Sequence, residues 1–126
     1  QETRRESEFL RANLKDDYKK FFAGLRSAIG YNVPVTLHRM PFVDVMKKED
    51  PTGVHLDNMN YINQVFDELA QEQELTTTFE PTLCPFYDKY AWDKNIFRWD
   101  LIHYTGELNM WVAEEILKEF KERKDR

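Results

Sequence analysis

Apolar residues recur at three- and four-residue steps in three segments of the chain, and the first of these covers residues 6–30. Such spacing places the apolar side chains on one side of a helix. This stripe is formed by Leu10, Leu14, Tyr18, Phe21, Leu25 and Ile29. Phe9 and Phe22 widen it, and Gly30 follows it at the position where a left-handed C-terminal cap is favoured. The pattern predicts a long amphipathic helix that touches more than one neighbour.

Residues 57–74 and the stretch from Asp93 to the C-terminus show the same periodicity. The middle helix is expected to begin at an Asp57 or Asn58 cap, because these side chains accept hydrogen bonds from the first turn. Its apolar stripe is Met59, Ile62, Val65, Phe66 and Leu69. The stripe of the last segment is Phe97, Leu101, Tyr104, Leu108, Val112, Ile116 and Phe120. Gly106 interrupts this last helix, where a kink or a close contact is expected.

The connections between these helices contain proline and β-branched residues. Residues 31–42 alternate like a strand, but Pro34 and Pro41 exclude them from the centre of a sheet. Residues 75–85 read as either a lone edge strand or a loop, and a short helix could open at Pro41. The predicted fold is mainly α: a small helical domain with two long terminal helices, a shorter middle helix and irregular proline-containing extended connections, with little or no sheet.

Length and composition narrow the class of protein further. A chain of 126 residues has the size of one domain, here residues 1–126, and it is large enough to bury a modest core. Only four glycines are present, and neither a dinucleotide-binding nor a P-loop glycine motif occurs. No apolar run is long enough for a transmembrane segment. We therefore predict no cofactor from the sequence.

The single cysteine and the first residue bear on the compartment. Cys84 cannot form an internal disulfide, which favours an intracellular setting, either cytosol or the interior of an organelle. Residue 1 is Gln rather than Met, so the sequence reads as a processed product or a fragment, and a mitochondrial origin stays open. We interpret Cys84 itself as a buried thiol rather than a nucleophile, because no activating basic neighbour stands beside it in sequence.

Charge is unevenly distributed along the chain, whose net charge is -5. Residues 42–100 carry five basic and twelve acidic side chains, whereas residues 1–30 carry seven basic and five acidic ones. An acidic middle repels phosphate, so nucleic acid is an unlikely partner. The acids of the middle helix are interpreted as an ordinary solvated helix face, with an acidic docking patch for a basic partner as the alternative. They are Asp67, Glu68, Glu72 and Glu74.

Six aromatic residues crowd into residues 84–100, beside six charged side chains of both signs. Rings of this kind either form one end of the core or contact a partner. The last helix also carries large side chains off its stripe, including Met110 and Trp111, and a helix that is apolar on several sides either is central or meets another molecule. We therefore predict partner-binding residues among the rings: Phe86, Tyr87, Tyr90, Trp92, Trp99 and Trp111.

Histidines offer the second candidate site. His103 and Glu107 stand four residues apart on the last predicted helix, so both side chains can face one metal ion or one proton-transfer site. His55 and His38 could complete a three-ligand set. No recognised metal-binding motif accompanies them, so the plainer interpretation, ordinary polar residues with no metal, is favoured.

These patterns favour a non-catalytic protein–protein interaction protein, an accessory or adaptor subunit of a larger assembly, over an enzyme. One alternative is a small α-helical ligand-binding protein or enzyme, whose aromatic pocket would be lined by Tyr87, Tyr90, Trp92 and Tyr104 beside His103 and Glu107. A further alternative is an inhibitor or immunity-type protein that presents acidic helices to a basic target.

Overall fold

The computed structural model describes residues 2–41, 47–48, 52–85, 87 and 106–124. This part of the chain is mainly helical, which confirms the predicted fold class. Its elements are α1 (Glu2–Ile29), β1 (Val35–His38), α2 (Val54–Glu72), β2 (Thr76–Phe79), a 3-10 turn (Pro81–Leu83) and α3 (Gly106–Lys124). Residues 93–105, where the C-terminal helix is predicted to begin, and the short helix predicted at Pro41 fall largely outside the described residues.

The core lies between α1, α2 and β1. Its buried members are Phe22, Leu37, Val65, Phe66 and Leu69. The ring of Tyr18 meets the ring of Phe66 edge-on, with centroids 5.3 Å apart, which is a favoured arrangement for aromatic pairs. The apolar stripe predicted for the middle helix therefore faces the core.

On α1 the packed line differs from the predicted stripe. Phe22 is buried, whereas Phe21 and Ile29 are exposed. Successive residues of a helix are about 100° apart, so turning Phe22 onto α2 turns Phe21 away from it. Gly30 has a φ of +86°, and its N–H donates to the carbonyl of Arg26 at 2.7 Å. The predicted left-handed cap after α1 is confirmed.

The two extended segments pair with each other, a result that the sequence pattern did not predict. β1 and β2 are parallel, with Val35 opposite Thr76 and His38 opposite Phe79. Within the described residues the sheet has two strands and each is an edge there, so the prolines that flank β1 do not disturb the ladder. Residues 75–85 are therefore neither a lone strand nor only a loop, because their first part is held by β1.

The middle helix begins earlier than predicted. α2 starts at Val54 and not after an Asp57 or Asn58 cap. Gly53 precedes the helix with a φ of +74° and no side chain caps the first turn, while the N–H of Asp57 donates to the Gly53 carbonyl at 3.0 Å. A left-handed glycine thus makes the entry turn where the sequence suggested a polar cap.

Candidate interaction surfaces

The described aromatic residues of the predicted partner-binding set lie mostly inside the fold. Tyr87 is only 2% exposed, so its ring is buried in the free chain. Trp111 is half-buried, and its ring lies 5.7 Å from that of Phe79. The other four lie outside the described residues: Phe86, Tyr90, Trp92 and Trp99.

The predicted polar site is described only in part. The Nδ1 atom of His38 is 2.6 Å from the carbonyl oxygen of Arg39, and its ring stacks obliquely on Phe79. His55 is exposed in the first turn of α2. His103 and the side chain of Glu107 lie outside the described residues. Within the residues that are described, no group of three or more His, Cys, Asp or Glu side chains could hold a metal ion. Cys84 is buried, as predicted.

Helix α3 packs one side against the sheet. Val112 is buried, the Trp111 ring contacts Phe79, and the hydroxyl of Thr77 donates to a carboxylate oxygen of Glu119 at 3.0 Å. These contacts fix which side of α3 faces the rest of the fold. The side chains on its other side are therefore directed away from β2.

That other side of α3 is also apolar. Met110 is 62% exposed and Leu117 is 59% exposed, with the exposed Ala113 between them. Their spacing of three and four residues places the three side chains on one stripe, which we call the α3 outer face. The exposed charges of Glu114 and Lys121 border it. An apolar centre with a charged border is the usual composition of a protein interface.

Helix α1 carries a second stripe beside the line that packs on α2, and the two stripes share Leu14, which also packs against the core cluster. Its members are Leu10, Leu14, Asp17, Phe21, Gly24 and Ala28, which we call the α1 outer face. They follow one another at alternating steps of four and three residues, the spacing of a coiled-coil seam. Leu10 and Leu14 are half-buried, and the other four are exposed, with Phe21 at 57%. Leu14, Asp17 and Phe21 also line a surface recess together with Tyr18.

A buried guanidinium ties α1 to both strands. Arg26 is 3% exposed, and one of its Nη atoms donates to the carbonyls of Gly30 and Val33. Its other Nη donates to the carbonyl of Glu74 at 2.6 Å. The guanidinium thereby joins the end of α1, the approach to β1 and the turn before β2. No hydrogen bond to a carboxylate is seen for Arg26 among the described residues.

The acids of α2 are engaged within the chain. Arg39 donates to the carboxylates of Asp67 and Glu80, and the hydrogen bond to Asp67 raises the pKa of Arg39 above its ordinary value. Lys15 lies 2.9 Å from a carboxylate oxygen of Glu68 and 2.7 Å from one of Glu72. The side chains of Asp67, Glu68 and Glu72 are nevertheless 39–48% exposed, so they form the solvated helix face that the sequence suggested and have cationic partners as well.

The pKa of Glu68 is lowered, first by the hydrogen bond from Lys15 and then by one from Gln64. The same cluster raises the pKa of Lys15, mainly through Glu72 and then Glu68. Because these carboxylates already have cationic partners in the fold, they contribute less free negative charge to a docking surface than their number suggests.

Comparison of the chain with models of protein families, with curated proteins and with solved structures finds no match to any of them. No helix in the described part of the chain has the length and apolar character needed to cross a membrane.

Proposed function

We propose that this chain is a non-catalytic interaction protein, an accessory subunit that binds a different protein through the α3 outer face. The observation that carries the proposal is the exposure of Met110 and Leu117 on a helix whose opposite side is already packed. Both are large apolar side chains, and their contact with water is removed when a partner covers them. Contiguous exposed apolar surface of this kind is typical of interaction sites.

The border of the face carries one exposed acid, Glu114, and one exposed base, Lys121. Lys121 stands one helical turn after Leu117 and is exposed. We expect the partner to present an apolar surface that covers Leu117, with an acidic side chain placed opposite Lys121. A charge at the edge of an interface contributes more to association rate and to choice of partner than to affinity, whereas the central apolar residue contributes the affinity.

The test compares two exposed leucines. Leu117→Lys places a charge in the α3 outer face, whereas Leu83→Lys places the same charge at a 74% exposed leucine in the 3-10 turn. Tagged wild-type chain is used to isolate a stoichiometric binding protein, which is then purified and titrated against each variant by calorimetry. We expect Leu117→Lys to weaken binding by about tenfold or more, the range of a central interface residue, and Leu83→Lys to leave it within about twofold.

Separate experiments test whether the variants fold and whether the charge of Lys121 contributes to binding. Circular dichroism should give the same spectrum and melting temperature for both variants, because neither side chain is buried. Lys121→Glu should slow association and reduce its dependence on salt while leaving dissociation nearly unchanged. Equal affinity of the wild-type chain and Leu117→Lys for every isolated binder would refute the proposal.

A further inference from the structure

The α1 outer face has the spacing of a helix-pairing seam, and its large and small residues are segregated along it. The two leucines, Leu10 and Leu14, stand in its N-terminal half, and Gly24 and Ala28 stand in its C-terminal half. An antiparallel second copy of the same helix would place Leu14 against Gly24 and Leu10 against Ala28. Large residues then meet small ones at both ends, which is the complementarity that close helix packing requires.

Gly24 supports this arrangement independently. It lies inside α1, where glycine is disfavoured relative to alanine. Among the described residues a Cβ atom at this position would meet nothing within 4 Å, and the backbone has no positive φ there, so this part of the chain gives no reason for a glycine. Close approach of another helix would give one.

Charge agrees with the same pairing. Asp17 is the only ionisable residue of the α1 outer face, and Lys20 borders that face and is exposed. In the antiparallel arrangement Asp17 lies beside Phe21 and Lys20 of the second copy, and the two-fold symmetry makes this contact twice. A parallel arrangement would instead set Asp17 against Asp17 and Gly24 against Gly24, which combines like charges with poor packing.

We propose that two copies of this chain form an antiparallel two-fold dimer through the α1 outer face, in which Asp17 of each copy lies beside Phe21 and Lys20 of the other, close to the two-fold axis. This interface and the α3 outer face have no residue in common.

The test measures the mass of the full chain by sedimentation equilibrium over a range of concentrations. We expect the wild-type chain to reach twice its monomer mass of 15.2 kDa. Asp17→Lys and Lys20→Asp should each weaken the dimer by about tenfold or more, and the double variant should recover most of the wild-type affinity, because the reversed charges attract again. Asp16→Lys, the same change at the exposed neighbouring position, should have little effect.

Gly24→Leu separates assembly from folding. Leucine is a better helix former than glycine and finds room in the single chain, so thermal stability should hold or rise while the dimer is lost. A wild-type chain that remains monomeric at millimolar concentration would overturn the proposal. So would a dimer that is insensitive to both Gly24→Leu and the charge reversals. Binding of a different protein through the α3 outer face is measured separately with Leu117→Lys. The dimer proposal and the partner-binding proposal can therefore be refuted independently.

Discussion

Replacement of Arg26 by methionine tests whether the buried guanidinium stabilises the fold. Methionine has a similar length and no polar group, so Arg26→Met keeps much of the packing and removes all three carbonyl hydrogen bonds. It also removes the unfavourable burial of a charge that has no hydrogen-bonded carboxylate among the described residues. The sign of the result depends on which of these two effects is larger.

The expected change in the free energy of unfolding is worked out from the number of hydrogen bonds that Arg26 makes. Hydrogen bonds from a charged group contribute about 1.5–3 kcal/mol each, so three of them amount to about 6 kcal/mol before desolvation is considered. Desolvation of a buried cation opposes this by several kcal/mol. Gly30 and Val33 are only partly covered, so water can replace some of the lost bonds. We expect Arg26→Met to lower the free energy of unfolding by about 3 kcal/mol, a large part of the stability of a small domain.

The assay is urea unfolding followed by far-ultraviolet circular dichroism, at one fixed protein concentration because association also changes stability. Lys19→Met, at an exposed position of the same helix, is the matched control and should change stability by less than about 0.5 kcal/mol. Arg26→Lys should be intermediate, since an ammonium group cannot span three carbonyls as a guanidinium does. If Arg26→Met were as stable as the wild-type chain, desolvation would cancel the hydrogen bonds and the reasoning would be refuted.

Three further outcomes follow from described contacts. Leu69→Ala should cost about 3 kcal/mol in urea unfolding, because this side chain is completely buried, and a loss below about 1 kcal/mol would mean that α2 does not pack as described. The pKa of Glu68 is lower in the fold than its ordinary value of 4.5, so the ionised carboxylate stabilises the fold at pH values above 4.5. This contribution is lost as the pH falls through the folded-state pKa. In Glu68→Gln the free energy of unfolding should therefore decrease less on acidification than in the wild-type chain. The same pH dependence in both proteins would rule out the pairing with Lys15. The buried thiol of Cys84 should react with a disulfide reagent about 100-fold more slowly in the native protein than in urea, and equal rates would show that it is accessible.

The helices were predictable from the sequence because their signal is local. The stripe of α2 and the cap at Gly30 depend on residues a few positions apart, and both are found in the fold. The short sheet was not predictable in the same way, since each strand has four residues and becomes ordered by pairing with a segment far along the chain. Proline at the ends of β1 suggested an irregular segment, although it is also compatible with an edge strand.

The electrostatic contacts were missed for a similar reason. Asp67 and Glu68 read as solvated acids from their own helix, because their cationic partners, Arg39 and Lys15, come from other elements. The helical period also left the orientation of Phe21 and Phe22 ambiguous, since both lie near one broad stripe. Packing on α2 decides that Phe22 is buried and that Phe21 is exposed.

The candidate surfaces were partly predictable. Met110 stood off the main stripe of its helix, and its exposure agrees with the second apolar side that this position suggested. The burial of Tyr87 was not predictable, because composition alone cannot separate a core aromatic residue from an interface one. The coiled-coil spacing of the α1 outer face was present in the sequence, but the broader stripe that packs on α2 obscured it.

The hydrogen bond between Arg26 and Glu74 also has a consequence for folding during translation. The two residues are 48 positions apart, so α1 emerges from the ribosome well before the carbonyl of Glu74 and the strand that follows it. During that interval the guanidinium lacks its acceptor at Glu74, and the Phe22 ring stays uncovered until its core partners in α2 have been translated. Until then the nascent helix exposes both of its apolar sides, and a chaperone that recognises amphipathic helices would bind it at this stage.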